Sequence, residues 1–83
     1  KVSTSKLNEV MLGAIERHHP PAVRGHLIRI KYATQIPASV PTFLFFANQP
    51  KLIPTSYQRY LENQLRKNFD FTGIPIQVYF RKK

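Results

Sequence analysis

The hydrophobic pattern of the chain has one centre. Within Thr42-Phe43-Leu44-Phe45-Phe46-Ala47 lies the longest unbroken apolar run, bounded by Pro41 before it and Asn48-Gln49-Pro50 after it. Breakers on both sides leave too little length for a helix, so the run predicts a β-strand. Alternation places Phe43, Phe45 and Ala47 on one face and Leu44 and Phe46 on the other. A strand covered on one side only should alternate apolar and polar positions. This one is apolar on both, and either face could be the one turned to the core.

The flanking patterns build a domain around that strand. Leu7, Val10, Met11, Ala14 and Ile15 recur at i, i+3, i+4, i+7 and i+8 behind the possible caps Ser3-Thr4-Ser5, predicting an amphipathic helix. Asn8, Glu9, Glu16 and Arg17 fall largely on its wet face. Pro20 and Pro21 end it near Arg17-His18-His19, where basic residues also complement the helix dipole. After a turn through Gly25, His26 to Gln35 predicts a strand with Ile28, Ile30 and Tyr32 on one face and Arg29, Lys31 and Ala33 on the other. The Pro-rich link Ile36–Pro41 joins it to the central strand as an antiparallel pair.

Thr55-x-x-Gln58 matches a capping box, and it precedes a second helical stripe of Tyr57, Tyr60, Leu61, Leu65 and Phe69. Arg59, Glu62, Asn63, Arg66 and Lys67 make the outer face, with Glu62 and Arg66 in a favourable i, i+4 order. Gly73 supplies a turn, and Ile74 to Arg81 predicts a third strand with Ile76, Val78 and Phe80 opposite Gln77, Tyr79 and Arg81. The tail is Arg81-Lys82-Lys83. The order α-β-β-α-β predicts an α+β domain of two layers, spanning residues 1–83, with both helices on one face of a three-stranded mixed sheet. A right-handed crossover makes strand three parallel to strand two. Adjacent pairing puts strand two in the middle; a split arrangement with strand one central is the alternative.

Composition narrows what such a domain can do. The chain has 83 residues, 42% of them hydrophobic, enough for one modest core. It has no Cys, so disulfides, thiolate metal sites and a Cys nucleophile are excluded. His18 and His19 are adjacent and point apart, and His26 is isolated, so no tetrahedral metal set is expected. The four acidic residues are scattered, and neither a Ser-His catalytic motif nor a G-x-x-x-x-G-K-[ST] phosphate loop is present, so the chain is not expected to be an enzyme. No apolar run has the roughly 20 residues of a membrane span and no signal-peptide pattern opens the chain, which favours a cytoplasmic setting and no membrane partner. The absence of an initial Met suggests a fragment of a longer protein.

Charge adds a partner class. Thirteen Lys and Arg against four acids give a net charge of +9, an excess that attracts polyanions. The open sheet face then combines Arg29, Lys31, Gln77, Tyr79 and Arg81 with either face of strand two, making aromatics flanked by cations. Such a platform suits stacked, single-stranded RNA, and it suits a protein interface equally. Glycine occurs only at 13, 25 and 73, so the G-x-x-G grip of RNA-binding KH domains is missing.

Several joined motifs carry a family resemblance: Thr4-Ser5-Lys6-Leu7-Asn8, His18-His19-Pro20-Pro21, Lys31-Tyr32-Ala33-Thr34-Gln35, Pro41-Thr42-Phe43 through Asn48, Ser56-Tyr57-Gln58-Arg59-Tyr60-Leu61-Glu62-Asn63, and Gly73-Ile74-Pro75-Ile76 ahead of Phe80-Arg81. Over nearly its whole length the chain resembles the C-terminal KH-like domain of the bacterial tandem GTPases of the Der (EngA) family. The resemblance implies an α-β-β-α-β KH-like fold without G-x-x-G, packed against two preceding GTPase domains of the same parent protein. It also implies a role in assembly of the large ribosomal subunit, with ribosomal RNA as a partner. GTP and Mg are implied for the parent; this chain has no matching nucleotide-binding positions and is expected to hold no cofactor and no small-molecule substrate. Asp70 departs from the pattern, where a small residue is frequent. The residues expected to meet RNA or a neighbouring domain are Arg29, Lys31, Arg59, Arg66, Lys67, Tyr79, Arg81, Lys82 and Lys83.

Overall fold

The fold, taken from a computed structural model covering residues 1–83, follows from how each segment satisfies its own backbone. Helix α1 runs Thr4–Arg17; Ser3 caps it, its Oγ accepting the Lys6 N–H at 3.2 Å. The buried stripe is Leu7, Met11, Ala14 and Ile15. Strands β1 (Ile30–Ile36), β2 (Thr42–Ala47) and β3 (Gln77–Lys82) form one sheet in the order β1-β2-β3. β1 is antiparallel to β2 and β3 is parallel to it, so β2 is central and the adjacent arrangement holds. Helix α2 (Thr55–Asn68) follows a short 3₁₀ turn at Pro50–Leu52 and shares one face of the sheet with α1.

Four local expectations are corrected. β1 begins at Ile30, not His26: Val23 and His26 bond to one another across Arg24 and Gly25, whose positive φ values of 52° and 77° make a two-residue reversal. The segment after it is held by Asn48 instead of a full ladder. The Asn48 side chain accepts the Arg29 N–H at 2.8 Å and donates to the Leu27 carbonyl at 2.9 Å, while its own N–H donates to the Arg29 carbonyl at 3.1 Å. Thr55 is not the cap of α2. Pro54 takes that place, and Gln58 reaches back to the Ile53 carbonyl at 3.0 Å, so the capping-box hydroxyl is unused. β3 starts at Gln77, later than Ile74, because Pro75 cannot donate to a ladder and the Ile74 N–H is spent on the Phe71 carbonyl.

The fourth correction concerns Asn8, expected on the wet face of α1. Its side chain instead reaches the outer edge of β1, donating to the Ala33 carbonyl at 2.8 Å and accepting the Ala33 N–H at 2.7 Å. One amide thus does what a neighbouring strand would do. The Val2 N–H donates to Gln35 Oε1 at 2.8 Å further along the same edge.

Phe43 and Phe45 of β2 are completely buried between the helices and the sheet, with Leu7, Met11, Leu61 and Leu65. Phe71 packs on Phe43 and Phe80 on Phe45, with ring centroids 5.7 and 5.5 Å apart. The two helices are tied at the end of α1: Tyr57 donates to the His18 carbonyl at 2.6 Å, and Tyr60 donates at 2.7 Å to the Ala14 carbonyl, which also accepts the His18 N–H at 3.2 Å. At the end of α2, Asp70 has φ 60° and the Phe71 N–H donates to the Arg66 carbonyl at 3.0 Å. That is the left-handed C′ position of a Schellman turn, which explains why a small residue suits it.

Two stability predictions follow from these bonds. Asn8→Ala strips both partners from Ala33 and should cost about 2–3 kcal/mol, read as a lower urea midpoint at unchanged slope. Burial, reinforced by Tyr60 nearby, pushes the Tyr57 hydroxyl from 10.0 up to about 12. The unfolded chain therefore releases this proton first, and stability present below pH 10 falls as pH rises from 10 to about 12. Tyr57→Phe should lose about 1 kcal/mol at neutral pH and flatten that alkaline fall in a pH-stability series.

Candidate interaction surface

Both helices cover the same side of the sheet, so the other side has no element of this chain upon it. What that side carries is set by one irregularity. The β1–β2 register passes from Ile30↔Ala47 to Tyr32↔Phe46, leaving Lys31 as an extra residue. Such a bulge shifts the alternation of everything after it. Ile28 and Ile30 are buried under α1 as expected, but the next buried residue is Ala33 and not Tyr32. Tyr32, expected in the core, stands on the open face. Small Ala33 takes the core position, where α1 comes close enough for Asn8 to bond its backbone.

The parallel register with β3 completes the face. Leu44 lies beside Tyr79 and Phe46 beside Arg81, while Tyr32 and Phe46 stack with centroids 4.6 Å apart. Lys83 Nζ sits 5.3 Å over the Tyr32 ring, in cation–π range. Tyr79 is 47% exposed, its hydroxyl donating to Gln77 Oε1 at 2.8 Å. The ambiguity of β2 is thereby resolved: Phe43, Phe45 and Ala47 face the helices, and the half-buried Leu44 and Phe46 face outward.

The expected contact residues divide among four places. Tyr79, Arg81 and Lys83 are on or at the rim of the open face. Arg29 and Lys31, expected there too, line a groove of about 640 Å³ between the start of β1 and the end of α1, together with Leu27, His19 and Pro20. Lys82 lies at the end of β3 and shares a recess with Asn48 and Lys51. Lys51 escaped the sequence reading; its only signal was a cation in the connection directly after the central strand. Arg59, Arg66 and Lys67 belong to α2, in the other layer. Arg66 is engaged in holding the α2–β3 connection, donating to the Ile74 carbonyl at 2.7 Å with Glu62 3.8 Å away.

No three His, Cys, Asp or Glu side chains come together anywhere in the structure, and no helix is long and apolar enough to cross a membrane. The arrangement is an apolar face with a cationic border.

Comparison with known proteins places this architecture. Residues 1–81 match the family described as the KH-domain-like, C-terminal domain of EngA bacterial GTPase enzymes. The chain belongs to that EngA family. Among curated relatives, the GTPase Der of Flavobacterium psychrophilum is 51% identical over 83 residues, that of Amoebophilus asiaticus 53% and that of Porphyromonas gingivalis 51%. In each case all of this chain is covered but only 19% of the relative. The EngA domain described here thus corresponds to a small part of those GTPases, and its two helices and mixed sheet agree with a KH-like α+β fold.

The two faces of β2 should differ sharply in sensitivity. Phe45→Ala should cost about 3–5 kcal/mol, as for other fully buried aromatics. Phe46→Ala should cost about 1 kcal/mol, the worth of a half-exposed aromatic pair. Chemical denaturation of the two variants side by side checks the contrast.

Proposed function

We propose that this chain is a non-catalytic KH-like module of a tandem GTPase acting in assembly of the large ribosomal subunit. It docks through its open sheet face against the GTPase domains of the same parent protein and contacts ribosomal RNA with its cations. Membership of the EngA family supports the setting, and the cytoplasm is the compartment in which it would act. The single observation that carries the docking reading is the uncovered patch of Leu44, Phe46, Tyr32 and Tyr79 opposite both helices. An apolar centre with an Arg and Lys border is the composition of a protein interface. GTP and its Mg ion would belong to the parent's GTPase domains; the sequence of this chain has no G-x-x-x-x-G-K-[ST] motif.

A self-sufficient binder of single-stranded RNA would need ring faces free for bases. On this sheet Tyr32 and Phe46 stack on each other, Lys83 Nζ also sits 5.3 Å from the Tyr32 centroid, and Tyr79 is the one well-exposed ring. That geometry favours docking over base stacking.

Docking is tested with the parent's GTPase domains expressed separately. Phe46→Asp and Tyr79→Asp should each lower their association with this chain by at least about tenfold, the loss of a central interface anchor. Circular dichroism should show both variants still folded. Unchanged association of two folded variants would overturn docking through this face.

A further inference from the structure

The cations of this chain are unevenly distributed, and their uneven placement is set by topology. β2 and β3 are parallel and β1 is antiparallel to them, so one end of the sheet collects the end of β2, the end of β3 and the start of β1. Ala47 is the hub: it pairs with Ile30 on one side and Lys82 on the other, and its carbonyl accepts the Lys83 N–H at 3.1 Å. Around it stand Arg29, Lys31, Lys51, Arg81, Lys82 and Lys83, all exposed. The ion pairs of the chain lie elsewhere, Lys6 with Glu9 and Arg66 with Glu62. Asp70 is at the opposite end, beyond the last turn of α2. Glu16, followed at once by Arg17, is the one carboxylate on an element that finishes at this pole.

We infer that this pole of the sheet, and not the open face, is the surface that meets RNA, and that it reads phosphates without reading bases. The inference rests on the RNA half of the proposed function. Four of the six cations are lysines, a residue depleted at protein interfaces and suited to phosphate as a point charge. The cations come from in or beside the two outer strands and from the 3₁₀ turn, so they are spread across this end of the sheet as a charged surface and not gathered into one pocket. Of the two amides at the pole, Asn48 and Gln49, the central Asn48 is held by its bonds to Leu27 and Arg29, which turn its oxygen and one N–H inward to the backbone. Docking and RNA contact thereby occupy adjoining surfaces, and both can be held together. Arg29, Arg81 and Lys83 stand at the boundary; Lys51 and Lys82 stand off the open face.

The test is binding of this chain to a duplex RNA of about 16 base pairs, by fluorescence anisotropy over a salt series. With four or five phosphates engaged, the log–log salt slope should be roughly −3.5 to −4.5. The triple variant Arg29→Glu/Lys51→Glu/Lys82→Glu should weaken binding at least about 30-fold and make the slope shallower by roughly 2.7. Arg59→Glu/Lys67→Glu, in the helix layer, should change affinity less than about threefold, and a second duplex of shuffled sequence should bind equally. Equal losses from the helix-layer and pole variants would overturn the inference, as would a tenfold preference between sequences or no RNA binding at low salt. The docking reading is separable. The pole variant should still associate with the GTPase domains, and Phe46→Asp should still bind RNA; loss of RNA binding in folded Phe46→Asp would overturn the inference and move the site back to the face.

Discussion

A strand that is apolar on both sides cannot be satisfied by a single layer of helices. β2 stands at the centre of the sheet with Phe43, Phe45 and Ala47 on one face and Leu44 and Phe46 on the other, and α1 and α2 together cover only the first. The rest of the molecule is arranged around that imbalance. The inner face receives two helical stripes and the aromatic packing of Phe71 and Phe80. The outer face is covered incompletely, by a ring from β1 and a ring and a guanidinium from β3. Burial of apolar surface is the dominant favourable contribution to folding and to association alike. A face left half-covered in the one is free to contribute to the other.

The bulge at Lys31 decides how well the outer face is furnished. Without it Tyr32 would be driven beneath α1 and Ala33 would stand outward. Helix and strand would then be held apart by an aromatic ring, and Asn8 could not reach the backbone of Ala33. One extra residue thus brings α1 close, seals the edge of β1, and delivers Tyr32 to stack on Phe46. A bulge of this kind re-aims side chains where function needs them.

Most of the architecture was legible in the pattern of apolar positions. Both helices, the central strand and the faces of β3 followed from periodicity, because each has a single stripe or clean alternation to report. The strand order did not, and two arrangements stayed open until the pairing decided between them. What escaped reading was whatever depends on a partner distant in sequence. Asn8 is polar on a helix surface, and nothing near it in sequence says that Ala33 will need its amide. The phase of β1 depends on a register choice made against β2, and the spacing of Ile28, Ile30 and Tyr32 gave a regular strand that the structure interrupts. Thr55 matched a capping box, but Pro54 already occupied the cap with suitable dihedrals. The contact residues were legible as cations and not as places. Only topology separates Arg29 and Lys82 from Arg59 and Lys67.

Sealing β1 with the Asn8 amide has a consequence for how copies of this sheet could meet. A sheet exposed at both edges can add strands without limit, which is the route to fibres. Here neither β1 nor β3 has a strand beyond it, but on the β1 edge the Ala33 N–H and carbonyl are taken by Asn8 of α1. If two molecules joined through β3, the combined sheet would present a sealed β1 at each outer border. A further strand would have to displace the Asn8 bonds to Ala33, so the asymmetry of the edges disfavours growth past that pair.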